Sequence, residues 1–153
     1  MKKLIFCCLL SFALFSCKNK KPATDLVDDK MKMMDADRAF SRLSEAKGMK
    51  NAFLDYIDSN GALLRPNHLP LVGADAIDYL IQQNDSSFIL KWEPKSGFVA
   101  ASGDLGYTYG LYVLKPTKKD TLLYGNYVSI WKKQADGNWK FVLDSGNEGI
   151  GEE

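Results

Sequence analysis

Three kinds of side chain in this sequence are suited to chemistry in a pocket: a carboxylate in an apolar strand, an arginine beside a proline, and a set of aromatic rings. Asp144 follows the run Trp139-Lys140-Phe141-Val142-Leu143. A carboxylate that such a strand turns into a pocket is partly desolvated, and desolvation raises its pKa toward that of a useful general base. The alternative is a structural ion pair between Asp144 and a basic side chain such as Arg65.

Arg65 stands next to Pro66 at the end of a short apolar run. Its planar guanidinium suits a two-pronged hydrogen bond to a ligand carboxylate. It is equally suited to neutralising Asp144 or Glu93. If the protein is an enzyme, Asp144 and Arg65 are its predicted catalytic residues.

Aromatic residues make up 12% of the chain and are frequent in its second half. Several that face inward would line a pocket for a flat apolar ligand, with hydroxyl groups available for hydrogen bonds. Aromatic side chains in strands are also ordinary core residues. The predicted pocket residues are Tyr56, Trp92, Tyr107, Tyr109, Tyr127 and Trp131.

Several other reaction classes lack their residues. The chain has one histidine, His68, in a proline-containing loop where an exposed position is expected and a proton-shuttle role is the alternative. Ligands for zinc are therefore nearly absent, and a carboxylate site for a hard cation is the remaining metal option. The glycines around Asp104 do not form a dinucleotide-binding pattern, and the chain has no nucleophile elbow and no P-loop. We expect neither a metal nor a cofactor.

The first residues predict export. A cationic Met1-Lys2-Lys3 precedes the apolar run from Leu4 to Phe15, which is too short to cross a bilayer as a helix. Leu14-Phe15-Ser16-Cys17 resembles the bacterial lipoprotein processing box, in which cleavage falls before a cysteine that becomes lipidated; an ordinary signal peptide is the alternative. We expect residues 1–16 to be removed and Cys17 to carry the lipid anchor in a bacterial cell envelope, with the domain facing the periplasm or the cell surface.

Composition limits the partners of the processed chain. Cys7 and Cys8 lie in the predicted signal peptide, so Cys17 has no second cysteine for a disulfide. Loss of Lys2 and Lys3 changes the formal net charge from +1 to about −1, and the chain has no basic stripe, which argues against nucleic acid as a partner. Residues 17–30 are polar and are predicted to be a flexible tether.

One domain of about 31–148 should follow, with a disordered tail over residues 149–153, since 153 residues suit one core. Met33, Ala36, Phe40 and Leu43 recur at helical spacing and predict a helix from Met31 to Lys47 that Gly48 ends. Further helices are predicted over 49–58, closed by the turn signal Asn60-Gly61, and over 75–83.

The rest of the domain has the pattern of strands. A short strand over 62–65 is followed by strands predicted at 86–93, 97–102, 106–114, 122–133 and 139–145. Asp136-Gly137 predicts a hairpin between the last two, in which Tyr127, Ser129 and Trp131 share one face. Simple alternation places Trp139 and Phe141 on the face opposite Asp144. Helices followed by sequentially paired strands predict an α+β fold.

The order of several local strings resembles the DUF4440 branch of the SnoaL-like, NTF2-like superfamily over about residues 35–147. These strings are Asp37-Arg38-Ala39-Phe40, Leu63-Leu64-Arg65-Pro66, Val72-Gly73, Trp92-Glu93-Pro94, Ser102-Gly103-Asp104-Leu105-Gly106-Tyr107-Thr108-Tyr109-Gly110 and Trp139-Lys140-Phe141-Val142-Leu143-Asp144. The resemblance implies a cone in which three helices pack on a strongly curved mixed or antiparallel sheet around a pocket open at one end.

The resemblance leaves function open, because relatives include ketosteroid isomerase, scytalone dehydratase, polyketide cyclases and proteins without catalytic activity. The local motifs of ketosteroid isomerase are missing here, so its catalytic residues are not transferred. We expect an anchored module that binds a small, largely apolar molecule. The alternatives are a cofactor-independent isomerase, dehydratase or cyclase with Asp144 as base, and a protein-binding inhibitor or immunity factor. A homodimer through the sheet is plausible from the same resemblance.

Overall fold

The computed structural model describes residues 22–149, so the predicted signal peptide, Cys17 and the last four residues lie outside the described part of the chain. The helices are α1 (Ala23–Lys47), α2 (Met49–Tyr56) and α3 (Ala74–Gln82). The strands are β1 (Ile57–Leu64), β2 (Leu71–Val72), β3 (Phe88–Val99), β4 (Leu105–Pro116), β5 (Leu123–Lys133) and β6 (Trp139–Glu148). No helix between residues 22 and 149 combines the length and apolar character needed to span a bilayer.

The six strands form one mixed sheet in the order β2-β1-β6-β5-β4-β3, with the three helices packed against it and no closure into a barrel. The α+β fold expected from the sequence is thus confirmed. The β5–β6 hairpin forms around Gly137, which has a φ of +88°. Purely sequential antiparallel pairing is wrong for the first long strand, because β1 lies parallel to β6 in the middle of the sheet. That neighbour is remote in sequence, so a local pattern cannot predict it.

Helix α1 begins at Ala23 instead of Met31, so residues 23–30, expected in the flexible tether, are helical. Asp29 is buried within this first part of the helix. The ammonium group of Lys133 on β5 donates a hydrogen bond to its carboxylate over 2.5 Å. The ion pair attaches the start of α1 to the sheet, and Leu26 packs against the core. Together these contacts explain why this mostly polar segment is part of the helix.

The buried face of α1 is more polar than the predicted stripe. Met33 and Phe40 are buried as expected, but they share that face with Asp37, Ser41 and Ser44. Met33 packs over Gly97 of β3 and Gly106 of β4, where a Cβ atom at either glycine would lie within about 3 Å of its side chain. The two glycines therefore let the helix approach the sheet closely.

Helix α1 covers the edge strand β3 through two serine hydroxyls. Ser41 Oγ donates to the Trp92 carbonyl oxygen over 2.7 Å and accepts from the Trp92 amide over 2.8 Å. Ser44 Oγ donates to the Leu90 carbonyl oxygen over 2.7 Å. An open sheet edge exposes unpaired backbone groups. Here the two serine hydroxyls satisfy three of these groups, the amide of Trp92 and the carbonyls of Trp92 and Leu90.

Two segments differ from the predicted boundaries for local reasons. Helix α2 ends at Tyr56, and β1 already begins at Ile57, so Asn60-Gly61 lies inside a strand at an irregularity in the β1–β6 register. The two predicted strands around Pro94 are one strand, β3, with a bulge at Lys95. A bulge accommodates an extra residue without ending the strand.

The core fills one end of the space between the helices and the sheet. Phe40 of α1 lies at its centre and contacts the rings of Phe53, Trp92, Trp131 and Phe141 at centroid distances from 4.5 to 6.1 Å. Edge-to-face and offset-stacked pairs of this kind stabilise a core beyond simple burial. The aromatic residues that the sequence places on helices and strands alike therefore meet in one cluster.

Candidate functional site

A cavity of about 190 Å³ lies at the other end of that space, between the start of α2, the end of β1 and strands β3 to β6. Its exposed lining residues, Pro66 and Glu148, mark the mouth. The volume is below the ~300–1,000 Å³ of sites for drug-sized ligands. Its apolar and aromatic lining consists of Met49, Phe53, Leu90, Trp92, Tyr112, Leu114 and Tyr127.

Asp144 and Arg65 meet at this cavity. Arg65 Nη2 donates to Asp144 Oδ1 over 2.7 Å, and Ser129 Oγ donates to Asp144 Oδ2 over 2.7 Å. The two charged side chains are 19% and 9% exposed. The ion pair weighed as the alternative for Asp144 is therefore present. Glu93, the other partner considered for Arg65, pairs instead with Arg38.

A β-bulge directs Asp144 into the cavity. Trp131 pairs with Phe141 and Ser129 with Asp144, so β6 has one more residue than β5 between these pairs. The extra residue is Val142. Because alternation is interrupted there, Asp144 shares the inner face with Phe141, and the predicted alternation of β6 is wrong beyond that point. No residue type signals the bulge, since Val142 is an ordinary strand residue.

Asp37 is the residue that the sequence analysis missed. It is completely buried on α1, where its Oδ1 accepts from Trp92 Nε1 over 2.7 Å and its Oδ2 accepts from the Tyr127 hydroxyl over 2.8 Å. Burial raises its pKa from 3.8 to about 6, although hydrogen bonds from Thr108, Trp92 and Tyr127 favour its ionised form. The sequence does contain a signal for Asp37, because this carboxylate follows Met33 by four residues and therefore falls on the predicted apolar face of the helix.

These bonds determine what the cavity wall presents. Trp92 and Tyr127 line the cavity, whereas Asp37, which binds their polar atoms, does not. The Tyr127 hydroxyl has a raised pKa because of its burial and the neighbouring Asp37 carboxylate, so it stays protonated as a donor to Asp37. The two rings therefore offer the cavity their apolar surfaces.

Glycines make room for the tyrosine rings. A Cβ atom on Gly125 would lie 2.3 Å from the ring of Tyr112, and one on Gly110 would lie 2.9 Å from the ring of Tyr127. The ring of Tyr112 also passes Gly146, where the corresponding distance is an ordinary 3.5 Å. The shape of the cavity wall thus depends on glycine at these positions.

The remaining predicted pocket residues lie elsewhere. Trp131 is fully buried in the core, and its Nε1 donates to Thr108 Oγ1 over 2.8 Å. Tyr56 stacks on Phe40. Tyr107 and Tyr109 are 42% and 48% exposed on the outer side of the sheet, so their assignment to the pocket is wrong. They alternate with buried Gly106, Thr108 and Gly110, and the sequence did not reveal which set faces inward.

A proton shuttle at His68 and a carboxylate metal site were the other chemistries considered from the sequence. His68 is exposed in the loop after β1 and packs edge-to-face on Tyr79 at 5.2 Å. Between residues 22 and 149 no group of three or more acidic, histidine or cysteine side chains is placed to hold a metal ion. The lipidation prediction for Cys17 lies outside the described residues.

No family model matches this chain, and no curated protein matches it. An NTF2-like protein with a cystatin-like fold from Novosphingobium aromaticivorans matches with a TM-score of 0.66 and 14% identity, covering 84% of this chain and 87% of the other. A ketosteroid isomerase-like protein from Erwinia carotovora atroseptica matches with a TM-score of 0.63 and 14% identity, covering 85% of this chain and 100% of the other.

A structure from Catenulispora acidiphila in complex with S-DNPA also matches, with a TM-score of 0.56 and 10% identity, covering 77% of this chain and 91% of the other. At such low identity, these matches establish a common fold and leave the site chemistry to be argued from the residues. The chain has the NTF2-like, cystatin-like fold.

Proposed function

We propose that this protein is a cell-envelope lipoprotein whose cavity binds a small, largely apolar molecule. The observation that supports this most directly is the position of Asp37, which accepts hydrogen bonds from both Trp92 and Tyr127 behind the cavity wall. With their polar atoms engaged there, the two rings form an apolar surface. The charged side chains of the lining are Arg65, Asp144 and Glu148.

The fold is compatible with this role. It includes ligand-binding proteins as well as isomerases and dehydratases. One solved neighbour holds S-DNPA. A pocket with apolar walls and a few polar groups at one end is the usual design of a small-molecule site.

A matched pair of glycine variants tests whether the cavity binds ligand. Gly125→Ala places a methyl group 2.3 Å from both the ring of Tyr112 and the Asn147 carbonyl oxygen of β6, whereas Gly146→Ala places it at an ordinary 3.5 Å from that ring. Melting curves without ligand establish that both variants are folded. A library of one-ring apolar compounds should raise the melting temperature of the original protein and of Gly146→Ala, since a ligand that binds the folded state stabilises it. Gly125→Ala should show a smaller shift relative to its own ligand-free melting temperature. Absence of any shift in the original protein would contradict the proposal.

A second candidate function is a cofactor-independent isomerase, dehydratase or cyclase with Asp144 as general base. It is favoured by one observation: Asp144 lines the cavity, and its side chain is only 9% exposed. Each of its oxygens accepts one hydrogen bond, from Arg65 and from Ser129, and keeps a second lone-pair site that can take a substrate proton. Catalysed uptake of solvent deuterium by carbon acids in D₂O, lost in Asp144→Asn, would support it. Equal uptake with the variant would rule out this role.

The anchoring part of the proposal depends on the sequence around Cys17. Acyl chains hold a protein at a membrane because each buried methylene contributes about 0.8 kcal/mol. In cells fed an alkyne fatty acid, the original chain should be labelled and sediment with the membrane fraction. Cys17→Ser should lose the label. An unlabelled original chain would contradict the lipoprotein assignment.

We also propose that two copies associate through the outer sheet face, which we define as Phe98, Leu105, Tyr107, Tyr109, Leu111 and Val128. Each of these side chains is between 37% and 57% exposed. Contiguous apolar patches on a soluble domain commonly mark an interaction site. Binding of a different protein to the same face is the alternative.

A further inference from the structure

The guanidinium group of Arg65 has two donor edges, and the protein uses one of them. Nη1 donates to the carbonyl oxygens of Leu64 and Asp144 over 3.1 and 3.2 Å, and Nη2 donates to Asp144 Oδ1 over 2.7 Å. The Nη1–Nη2 edge is thus occupied by Asp144. A guanidinium carries five N–H donors in a fixed fork. Its second edge consists of Nε and the remaining Nη2 hydrogen, and Nε has no acceptor among residues 22–149.

Arg65, which carries this free Nε–Nη2 edge, is one of the residues that line the cavity. Its side chain is 19% exposed, and its guanidinium carbon lies 5.4 Å from the ring centroid of Phe53, another lining residue. Arg65 Nε is not among the buried side-chain atoms that lack a partner, so water can accept from it in the open cavity. A ligand acceptor in the cavity replaces that water and forms a hydrogen bond with a charged donor.

The charges of the cavity lining determine whether a neutral or an anionic acceptor fits beside Arg65. The single positive charge of Arg65 is already offset by Asp144 at 2.7 Å, and the carboxylate of Glu148 also lines the cavity. A ligand carboxylate would add a third negative group beside one positive group. A carbonyl oxygen has lone pairs for the same two N–H groups and brings no net charge.

The cavity volume limits the size of the ligand. An apolar cavity of roughly 150 Å³ accommodates benzene. The present cavity of about 190 Å³ therefore has room for one ring with a small substituent. Trp92 and Tyr127 provide apolar walls for the ring, and Arg65 lies at the polar end.

We propose that the ligand is an uncharged compound of about one ring, or an equivalent short chain, that carries a carbonyl group. This inference rests on the binding function proposed above and adds the ligand class. The carbonyl oxygen accepts from the Nε–Nη2 edge of Arg65, and the apolar body lies against the rings of Trp92 and Tyr127, which contact each other edge-to-face at a centroid distance of 6.1 Å. Asp144 acts as a positioning residue, because it holds the guanidinium by the opposite edge.

Three probes of similar shape test the proposal: acetophenone, which has a carbonyl; ethylbenzene, which has no acceptor; and benzoate, which is anionic. The full chain in lipid nanodiscs is titrated with each, with empty nanodiscs correcting for partition into lipid. The chain has three tryptophans, so its spectrum contains only three indole N–H resonances. The one from Trp92, which lines the cavity, reports whether a probe has bound there. Acetophenone should bind about tenfold more tightly than ethylbenzene, the gain expected for a hydrogen bond from a charged donor.

The variant Arg65→Lys keeps the positive charge beside Asp144 and removes the planar second edge. It should reduce the preference for acetophenone over ethylbenzene to less than about threefold. Ile81→Ala, on the exposed side of α3, is the control and should behave as the original chain. Melting curves establish that each variant is folded.

The outcomes separate this inference from the function on which it rests. Equal affinities for acetophenone and ethylbenzene would overturn the carbonyl assignment while leaving apolar binding in place. Benzoate as the tightest probe would overturn it in favour of an anion. If none of the three moves the Trp92 resonance, the binding function fails as well. Retention of the full acetophenone preference in Arg65→Lys would show that Arg65 is not the donor.

Discussion

Asp37 and Asp144 are both buried carboxylates, and their partners give them different roles. Asp144 faces a guanidinium that compensates its charge within 2.7 Å. The bonds of Asp37 come from the neutral groups of Trp92 and Tyr127, and Asp144 is a further unfavourable charge nearby. Asp37 therefore carries a desolvated charge that only hydrogen bonds stabilise. Its protonation state should affect the stability of the fold.

The first prediction concerns the pH dependence of that stability. Burial raises the pKa of Asp37 from 3.8 to about 6, so the folded chain holds this proton more tightly than the unfolded chain. The contribution to the free energy of unfolding is fully present below about pH 4 and is lost as the pH rises through about 6. A shift of this size corresponds to a loss of about 3 kcal/mol.

Asp37→Asn cannot titrate at this position, so the free energy of unfolding of the original chain should fall relative to that of the variant between pH 4 and pH 7. Urea unfolding at several pH values measures both. The other titrating groups are common to the two proteins and cancel in the difference. Parallel pH profiles would show that Asp37 keeps an ordinary pKa.

At the scale of elements, the contact between α1 and β3 fixes one wall of the cavity. Ser41 and Ser44 bind the backbone of Trp92 and Leu90, and both of these residues line the cavity. The helix thus positions the edge strand through its hydroxyl groups, while Asp37 holds the indole of Trp92 on the same helix face. Loosening this contact should change the cavity as well as the sheet edge.

The second prediction compares two serine variants. Ser41→Ala removes two hydrogen bonds to the Trp92 backbone, and Ser44→Ala removes one to Leu90. A buried backbone group left without a partner costs about 1–3 kcal/mol. We expect Ser41→Ala to destabilise the protein by about 2 kcal/mol and Ser44→Ala by about 1 kcal/mol.

Hydrogen exchange gives the local readout for this pair. The amide of Trp92 should exchange faster in Ser41→Ala and remain protected in Ser44→Ala, because only Ser41 accepts from it. Unchanged exchange at Trp92 in both variants would contradict the proposed role of α1 in holding the strand.

At the scale of the whole molecule, the sheet has two different faces. The inner face packs on the helices and encloses the core and the cavity, whereas the outer sheet face exposes aromatic and aliphatic side chains. Phe98, Tyr107 and Tyr109 follow one another there, with ring centroids 6.1 and 6.5 Å apart. The geometry leaves the cavity mouth and the outer sheet face as separate surfaces, so ligand binding and self-association can be tested independently.

The third prediction concerns self-association. Native mass spectrometry of the full chain in detergent should detect a dimer. Tyr109→Lys should convert it to a monomer, because a charge in the middle of an apolar interface is left unpaired. Leu69→Lys, in a loop and 86% exposed, is the control and should remain dimeric. A monomeric original chain would contradict the homodimer proposal.

Much of the fold was predictable because its signals are local. The spacing of Met33 and Phe40 identified a helix, Gly48 with a φ of +89° ends it, and Asp136-Gly137 located the hairpin. Backbone conformation at glycine and the period of apolar residues depend on neighbouring residues alone. The helices and most strands were accordingly recognised, with errors at their boundaries.

The site was less predictable because its residues acquire their roles from distant partners. Arg65 and Asp144 were identified by type, but the bulge at Val142 that brings Asp144 inward exists only in the pairing of β6 with β5. Asp37 was overlooked because its burial depends on Trp92 and Tyr127, which come from strands far away in sequence.

The sequence by itself determined the helices, the hairpin and the aromatic character of the interior, since each follows from residues close together in the chain. The export signal is a local pattern of the same kind and stays a prediction. Only the tertiary structure decided that β1 lies beside β6, that Tyr127 faces the cavity while Tyr109 faces outward, and that Asp37 lies beneath the wall. The physical reason is that alternation makes the two faces of a strand distinguishable but does not say which one is covered. Packing against α1 and α2 determines which face of the sheet is buried.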